Sequence, residues 1–176
     1  MKRTLLAVLA VGCLTTVAAT QASAQGLRWG VGVGMLMPMG DYNTLDKPGW
    51  VVGGGGTYWL TGGTLGVRGD VAYSSTKHDG VAGETKIIGG MASLVYGLGP
   101  ASASMRPFLN GGIGFFSIDG GGGSDTKVGF GIGGGLMFKA GTGGMRVVVA
   151  TRYTSVSSNG ATLSWLPITV GLTFGK

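Results

Sequence analysis

Acids, histidine and cysteine are scarce in this chain of 176 residues, which carries seven Asp and Glu, one His and one Cys. Cys13 falls inside an N-terminal apolar run, so no disulfide framework is available to the rest of the chain. With His78 the sole imidazole and no cysteine beyond that run, a transition-metal site lacks ligands. Asp41, Asp46, Asp79, Glu84, Asp119 and Asp125 are scattered without calcium-loop spacing. DGGGGSD (Asp119–Asp125) occurs once, whereas glycine-aspartate calcium repeats act only when stacked, so it reads as a flexible loop. No metal and no cofactor is expected, and the glycine pairs lack the strand–loop–helix setting of a nucleotide site. Basic runs interleaved with aromatics are also missing, which argues against nucleic acid. After Ala24 no apolar stretch reaches the roughly 18 residues of a spanning helix, so a membrane could be crossed only with strands.

What is present begins with a leader. Met1-Lys2-Arg3 is basic, Leu5 to Ala19 is mostly apolar, and Ala22-Ser23-Ala24 sets small residues before a cleavage point. This is the layout of a secretory signal peptide over residues 1–24, leaving a mature domain over residues 25–176. A lipoprotein alternative reads Ala10-Val11-Gly12-Cys13 as a lipidation box, with Ala10 where Leu is usual. Loss of Lys2 and Arg3 lowers the formal charge from +6 to +4, a mild excess compatible with contact to anionic lipid or lipopolysaccharide.

Glycine is plentiful, 39 residues, with no collagen-like period, and the apolar fraction stays at 44%. In KVGFGIGGGLMFKAG (Lys127–Gly141) apolar residues alternate with glycine. Glycine weakens an ordinary strand, so the pattern calls for one apolar surrounding and one crowded face. Eight such segments follow one another by period 2. Their apolar faces start with Trp29, Val31, Val33 and Met35, then Trp50, Val52 and Tyr58, then Leu65, Val67, Val71 and Tyr73. The fourth, near Lys86 to Tyr96, is ambiguous and is placed with Ile88, Ala92, Leu94 and Tyr96 on that face. The remaining four present Leu109, Ile113 and Phe115; Val128, Phe130, Ile132, Leu136 and Phe138; Val147, Val149, Thr151 and Tyr153; and Leu166, Ile168, Val170, Leu172 and Phe174.

Runs of this length suit tilted strands crossing a bilayer. Polar connections are expected at Gly40–Gly49, Ser75–Gly83, Asp119–Ser124 and Thr154–Ala161, alternating with turns at Thr61–Gly63, Gly97–Ser104 and Ala140–Gly144. If odd strands run upward, Trp29, Tyr58, Tyr96, Phe138 and Phe174 fall at the lower rim and Trp50, Tyr73, Phe115, Phe130 and Tyr153 at the upper. Two aromatic girdles on the apolar face are what a spanning barrel requires, because amphipathic rings gather at membrane interfaces. The expected fold is an all-β, eight-stranded antiparallel up-and-down transmembrane barrel. Inside it, glycine would leave room for Arg68, Arg152, Trp59 and Trp165.

RPFLNGGIGFF (Arg106–Phe116), TKVGFGIGGGLMF (Thr126–Phe138) and WLPITVGLTF (Trp165–Phe174) resemble the small outer-membrane β-barrel domain family of OmpX, the opacity proteins and the OmpA barrel. The resemblance implies a bacterial outer membrane location and insertion by the barrel-assembly machinery, which in this family recognises a terminal aromatic strand. Thr169, Gly171 and Phe174 are similar to that signal, while Gly175 and Lys176 depart from it. No OmpA-type peptidoglycan anchor is expected.

Predicted inward charges are Arg28, Arg68, Asp70, Lys139, Arg146 and Arg152. Eight strands leave little bore, so these are expected to form a polar plug rather than an anion-attracting pore, with water, loop acids or Glu84 balancing the basic excess. His78-Asp79 reads as a solvated loop dipeptide; a rim enzyme acting on lipid A or peptides would need a second positioned partner. Met35, Met37 and Met39 read as apolar surface rather than a soft-metal ladder. No catalytic residue is predicted. The expected role is structural, or surface interaction through four short outer loops with an unspecified external ligand, and a narrow pore is the alternative.

Overall fold

The computed structural model describes residues 26–60, 62–80, 82–141, 143–158 and 161–175. The predicted leader, with Cys13 and the cleavage point after Ala24, lies outside these. Eight strands follow in chain order: β1 (Leu27–Met39), β2 (Gly49–Trp59), β3 (Leu65–Lys77), β4 (Glu84–Gly97), β5 (Met105–Asp119), β6 (Ser124–Lys139), β7 (Arg146–Ser158) and β8 (Ala161–Phe174). Each pairs antiparallel with its sequence neighbours, and β8 returns to β1 to close the barrel. Closure leaves no edge, so backbone donors and acceptors of the wall are paired as a hydrocarbon surrounding demands.

The register fixes the shape. From Trp29 the partners run through Gly56, Gly69, Ala92, Ile113, Phe130, Ser155 and Ser164 and rejoin β1 at Met39, ten residues farther along. That stagger around eight strands tilts them by about 40° from the barrel axis.

The outward face matches the expected one. Val31, Ile113, Phe115 and Ile132 are 59–67% exposed, which no water-soluble sheet of this size could sustain on so many large side chains. Both aromatic girdles fall on this face, with Trp29 against Phe174 at 4.8 Å on one rim and Trp50 against Tyr73 at 5.3 Å on the other.

Two expectations are corrected. The outer connections are shorter than their polarity suggests. β7 and β8 run to Ser158 and from Ala161, through the stretch read as a loop, and β3 and β5 likewise continue to Lys77 and Asp119. Ser155 and Ser157, on the outward face, pair with Ser164 and Thr162, so their hydroxyls mark exit from lipid, not the end of the ladder. The interior, moreover, is not mainly polar. Leu36, Tyr42, Val51, Ile87, Met91, Phe116, Val156 and Trp165 form an apolar cluster in the outer half. Val95, Phe108, Met137 and Val148, with Trp59 and Ala150, form a second towards the chain termini. The fourth segment was ambiguous because Ile87, Met91 and Val95 face these clusters while Ile88, Leu94 and Tyr96 face out.

Glycine supplies the space. A Cβ on Gly131 would come within 3.0 Å of both Met91 Cε and Arg152 Cδ, and one on Gly89 would strike the Phe116 ring.

Candidate functional site: a stacked lumen and two unlike rims

The centre of the bore holds a charge cluster between the two apolar layers. Arg152 on β7 forks onto Asp70 on β3, with Nη2 donating to Oδ1 at 2.7 Å and Nη1 to Oδ2 at 3.2 Å. Arg152 Nη1 also lies 3.2 Å from Met91 Sδ. Arg68 Nε stands 3.6 Å from Asp70 Oδ1 on the same strand face. The three side chains are 14–28% exposed, so the carboxylate is the main compensation for two mostly buried guanidinium groups. Of the six predicted inward charges, these three come together.

The others do not join them. Arg28, Arg146 and Lys139 gather at the rim of the chain termini, where they line a vestibule of about 840 Å³ with Arg106. Arg106 was absent from the predicted set, although its parity with Phe108 and Asn110 on β5 points it inward. Arg28 donates from Nη2 to the Gly144 carbonyl. Arg106 Nη2 donates to the Gly63 carbonyl at 2.6 Å, and its guanidinium sits 4.7 Å from the Trp59 ring centroid. Arg146 donates to Ala101 O at 2.6 Å and Ala103 O at 3.4 Å. Each arginine thus holds a turn that its own strand neither enters nor leaves: Arg28 the one between β6 and β7, Arg106 the one between β2 and β3, and Arg146 the one between β4 and β5. Lys139, at the end of β6, is exposed. Glu84 does not balance this charge. It lies at the opposite rim, 2.5 Å from Lys86 Nζ, and accepts from Ser75 Oγ at 3.0 Å.

That opposite rim carries a polar network the sequence did not reveal. A 3-10 turn over Gly40–Thr44 folds Tyr42 over the barrel end, 2% exposed. Tyr42 Oη and Thr76 Oγ1 are 2.7 Å apart, and Thr76 Oγ1 donates to Asp46 Oδ2 at 2.5 Å. Asp46 is itself 2% exposed and pairs with His78 by a backbone bridge. Burial, with the Asp46 carboxylate adding to it against the Thr76 hydrogen bond, pushes the Tyr42 phenol up to about 12.

His78 therefore does have neighbours. Nε2 lies 3.2 Å from Thr85 Oγ1 and 3.7 Å from Asp46 Oδ1. A hydrolytic relay needs the carboxylate on one ring nitrogen and the nucleophile on the other. Here both crowd Nε2, a geometry that latches a loop and does not pass a proton along a relay. Asp46 and His78 alone are also too few to cage a metal ion.

The fold and its lipid-facing girdles define a small outer-membrane barrel. The description "Outer membrane protein beta-barrel domain" fits residues 5–174, and the chain belongs to that family; its place is the bacterial outer membrane. None of the curated proteins matches it. Among solved structures it is similar to Neisserial surface protein A, at 16% identity and TM-score 0.66 over 85% of this chain and 97% of that one. It is also similar to Ail, the attachment invasion locus protein of Yersinia pestis, at 18% identity and TM-score 0.50 over 85% and 99%. A third is the outer membrane enzyme PagL, at 20% identity and TM-score 0.50 over 85% and 99%. At such identities the likeness is one of fold.

Proposed function

We propose that the protein is a non-enzymatic, non-conducting barrel that reinforces the outer membrane and offers its outer crown of hairpins as a contact surface. The observation carrying this reading is the layered lumen: apolar cluster, Arg152–Asp70 fork, apolar cluster. An ion crossing it would shed water against Phe116, Trp165, Phe108 and Met137, apolar side chains that cannot replace hydration. The lumen cavity, about 200 Å³, has room for waters beside the ion pair and not for a wide pore.

The crown supports the second half of the proposal. β3, β5 and β7 rise four or five residues past the girdle residues Tyr73, Phe115 and Tyr153. The end of β3 is braced by the Tyr42–Thr76–Asp46 network, and the loop beyond it by a Lys47–Asp79 ion pair of 2.8 Å. A braced scaffold with short connections suits contact by its rim. The neighbours in fold include a protein named for attachment and invasion and one named an enzyme, so fold leaves that choice open and the unrelayed His78 favours the non-enzymatic side.

Planar-bilayer recording of the purified protein tests the closed lumen. A flat trace in several salts is expected, and anion-selective steps would refute it. His78→Ala should leave lipid A composition unchanged, and an altered lipid A would revive the enzyme.

A further inference from the structure

The vestibule at the rim of the chain termini differs from the other charged places among the described residues. Arg28, Arg106, Lys139 and Arg146 line it, and among the described residues no Asp or Glu does. The chain's seven acids are placed elsewhere: Asp70 is engaged by Arg152 at mid-barrel, and Asp41, Asp46, Asp79, Glu84, Asp119 and Asp125 lie at the far rim. Among the described residues the three arginines meet neutral carbonyls and, for Arg106, the Trp59 ring, which fix their direction and leave their charge standing. Arg28 Nε and Arg106 Nε are buried without a hydrogen-bond partner among the described residues.

Four like charges around one mouth repel each other, an arrangement that is stabilised when an anion enters. The geometry points to a binding site for a phosphate-bearing anion at this vestibule. A carboxylate would neutralise a single cation. A phosphate carries up to two charges and acceptor oxygens on several sides, matching a mouth in which cationic groups converge from β1, β5, β6 and β7. The mouth, at about 840 Å³, admits a headgroup or a small soluble phosphate. Roles divide by exposure. Lys139 is exposed and Arg28 half-buried, so they contact the ligand, while Arg106 and Arg146, 4% and 8% exposed, supply the field from beneath and hold the turns. Trp59, already stacked on Arg106, forms an apolar wall beside them. The termini of this barrel family lie in the periplasm, which places the mouth beside the phospholipid leaflet and open to periplasmic solutes. The shared chemistry is the phosphate group, and the source is separable by experiment.

The protein in neutral maltoside micelles is titrated with pyrophosphate by calorimetry, and in parallel is offered phosphatidylglycerol or phosphatidylcholine and examined by native mass spectrometry. Saturable pyrophosphate binding marks a soluble ligand, and retention of phosphatidylglycerol over phosphatidylcholine marks a headgroup. Lys139→Glu puts a carboxylate in the mouth without touching a turn, and should weaken whichever ligand binds by about tenfold or more. Arg28→Gln should act similarly, with heat-modifiable gel migration showing that each variant remains folded. Lys86→Glu makes the same charge change at the opposite rim and should leave binding as it was. The site is refuted if the wild type binds neither ligand, if Lys139→Glu binds as tightly as wild type, or if Lys86→Glu weakens binding as much.

Discussion

The two ends of this barrel follow different electrostatic rules. At the outer rim three of the four lysines sit in ion pairs: Lys47 with Asp79, Lys86 with Glu84, Lys127 with Asp125. At the periplasmic rim the arginines lean on backbone carbonyls and no described acid answers them. The difference is not one of strand geometry, since the same eight strands build both rims with the same register. It comes from where seven acids were placed in the sequence. Charges that only brace a fold are cheapest when neutralised nearby. A cluster left net positive is a worse brace and a better receptor. The outer rim is built as a lid, and the inner one as a mouth.

Asp70 stands where the two rules meet, so changing it should have the largest effect. Asp70→Asn leaves Arg152 and Arg68 inside the bore with no carboxylate, a loss of about 3–5 kcal/mol if the pair behaves as buried pairs do when one partner is removed. Urea unfolding from lipid vesicles, followed by gel migration, would show it as an earlier midpoint. Adding Arg152→Met should recover part of the loss, because an unpaired buried charge is worse than an apolar replacement. Unchanged stability in Asp70→Asn would mean that lumen water already neutralises the arginines, and the contrast between the ends would lose its middle term.

Much of this architecture was legible in the sequence because lipid imposes a strict alternation. Val128, Phe130 and Ile132 announce their face without any knowledge of their neighbours, and the girdle aromatics fix the height of each strand. The lumen was harder. Its apolar members Ile87, Met91 and Val95 lie on the face that alternation reserves for polar residues, so β4 showed no clean period. Arg106 was recoverable by parity with Phe108, since the fifth segment needed only to begin two residues earlier. The Arg152–Asp70 contact joins residues 82 apart on strands that are not adjacent, and only the closed register brings them together. Tyr42 and Asp46 were read as loop residues because a 3-10 turn that folds back over a barrel mouth has no periodic signal.

The outer lid should yield to alkali in a defined window. Tyr42 is held neutral by burial, with its phenol raised from 10.0 to about 12. A group whose folded value is raised contributes stability that is complete below its unfolded value and is lost as pH climbs through the folded one. The crown should therefore hold up to about pH 10 and loosen between there and about 12. Hydrogen exchange of the Gly40–Thr44 turn, measured across that range, should show a step that Tyr42→Phe removes. Tyr42→Phe should also cost about 1 kcal/mol at neutral pH through the lost hydrogen bond to Thr76. A pH-independent turn would mean that Tyr42 is not sealed under the lid.

The smallest effect is expected where pairing is most visible. Glu84 and Lys86 sit beyond the outer girdle at the start of β4, both 46% exposed, with Nζ and Oε1 2.5 Å apart. The Lys86 hydrogen bond, then that of Ser75, holds the Glu84 carboxyl below its ordinary value, and the same bond raises the Lys86 ammonium. Lys86→Ala should bring the Glu84 titration back up, as read by carboxyl NMR shifts. By the sign of the shift, the pair stabilises the fold above the ordinary carboxylate range, and that contribution fades as pH falls through the depressed value. At this exposure water competes for both groups, so the unfolding midpoint of Lys86→Ala should match wild type within error. A measurable loss would show that outer-rim pairs bear on the barrel as the Asp70 cluster does, and that the lid is held by its ion pairs more than by the buried Tyr42–Thr76–Asp46 bonds beneath them.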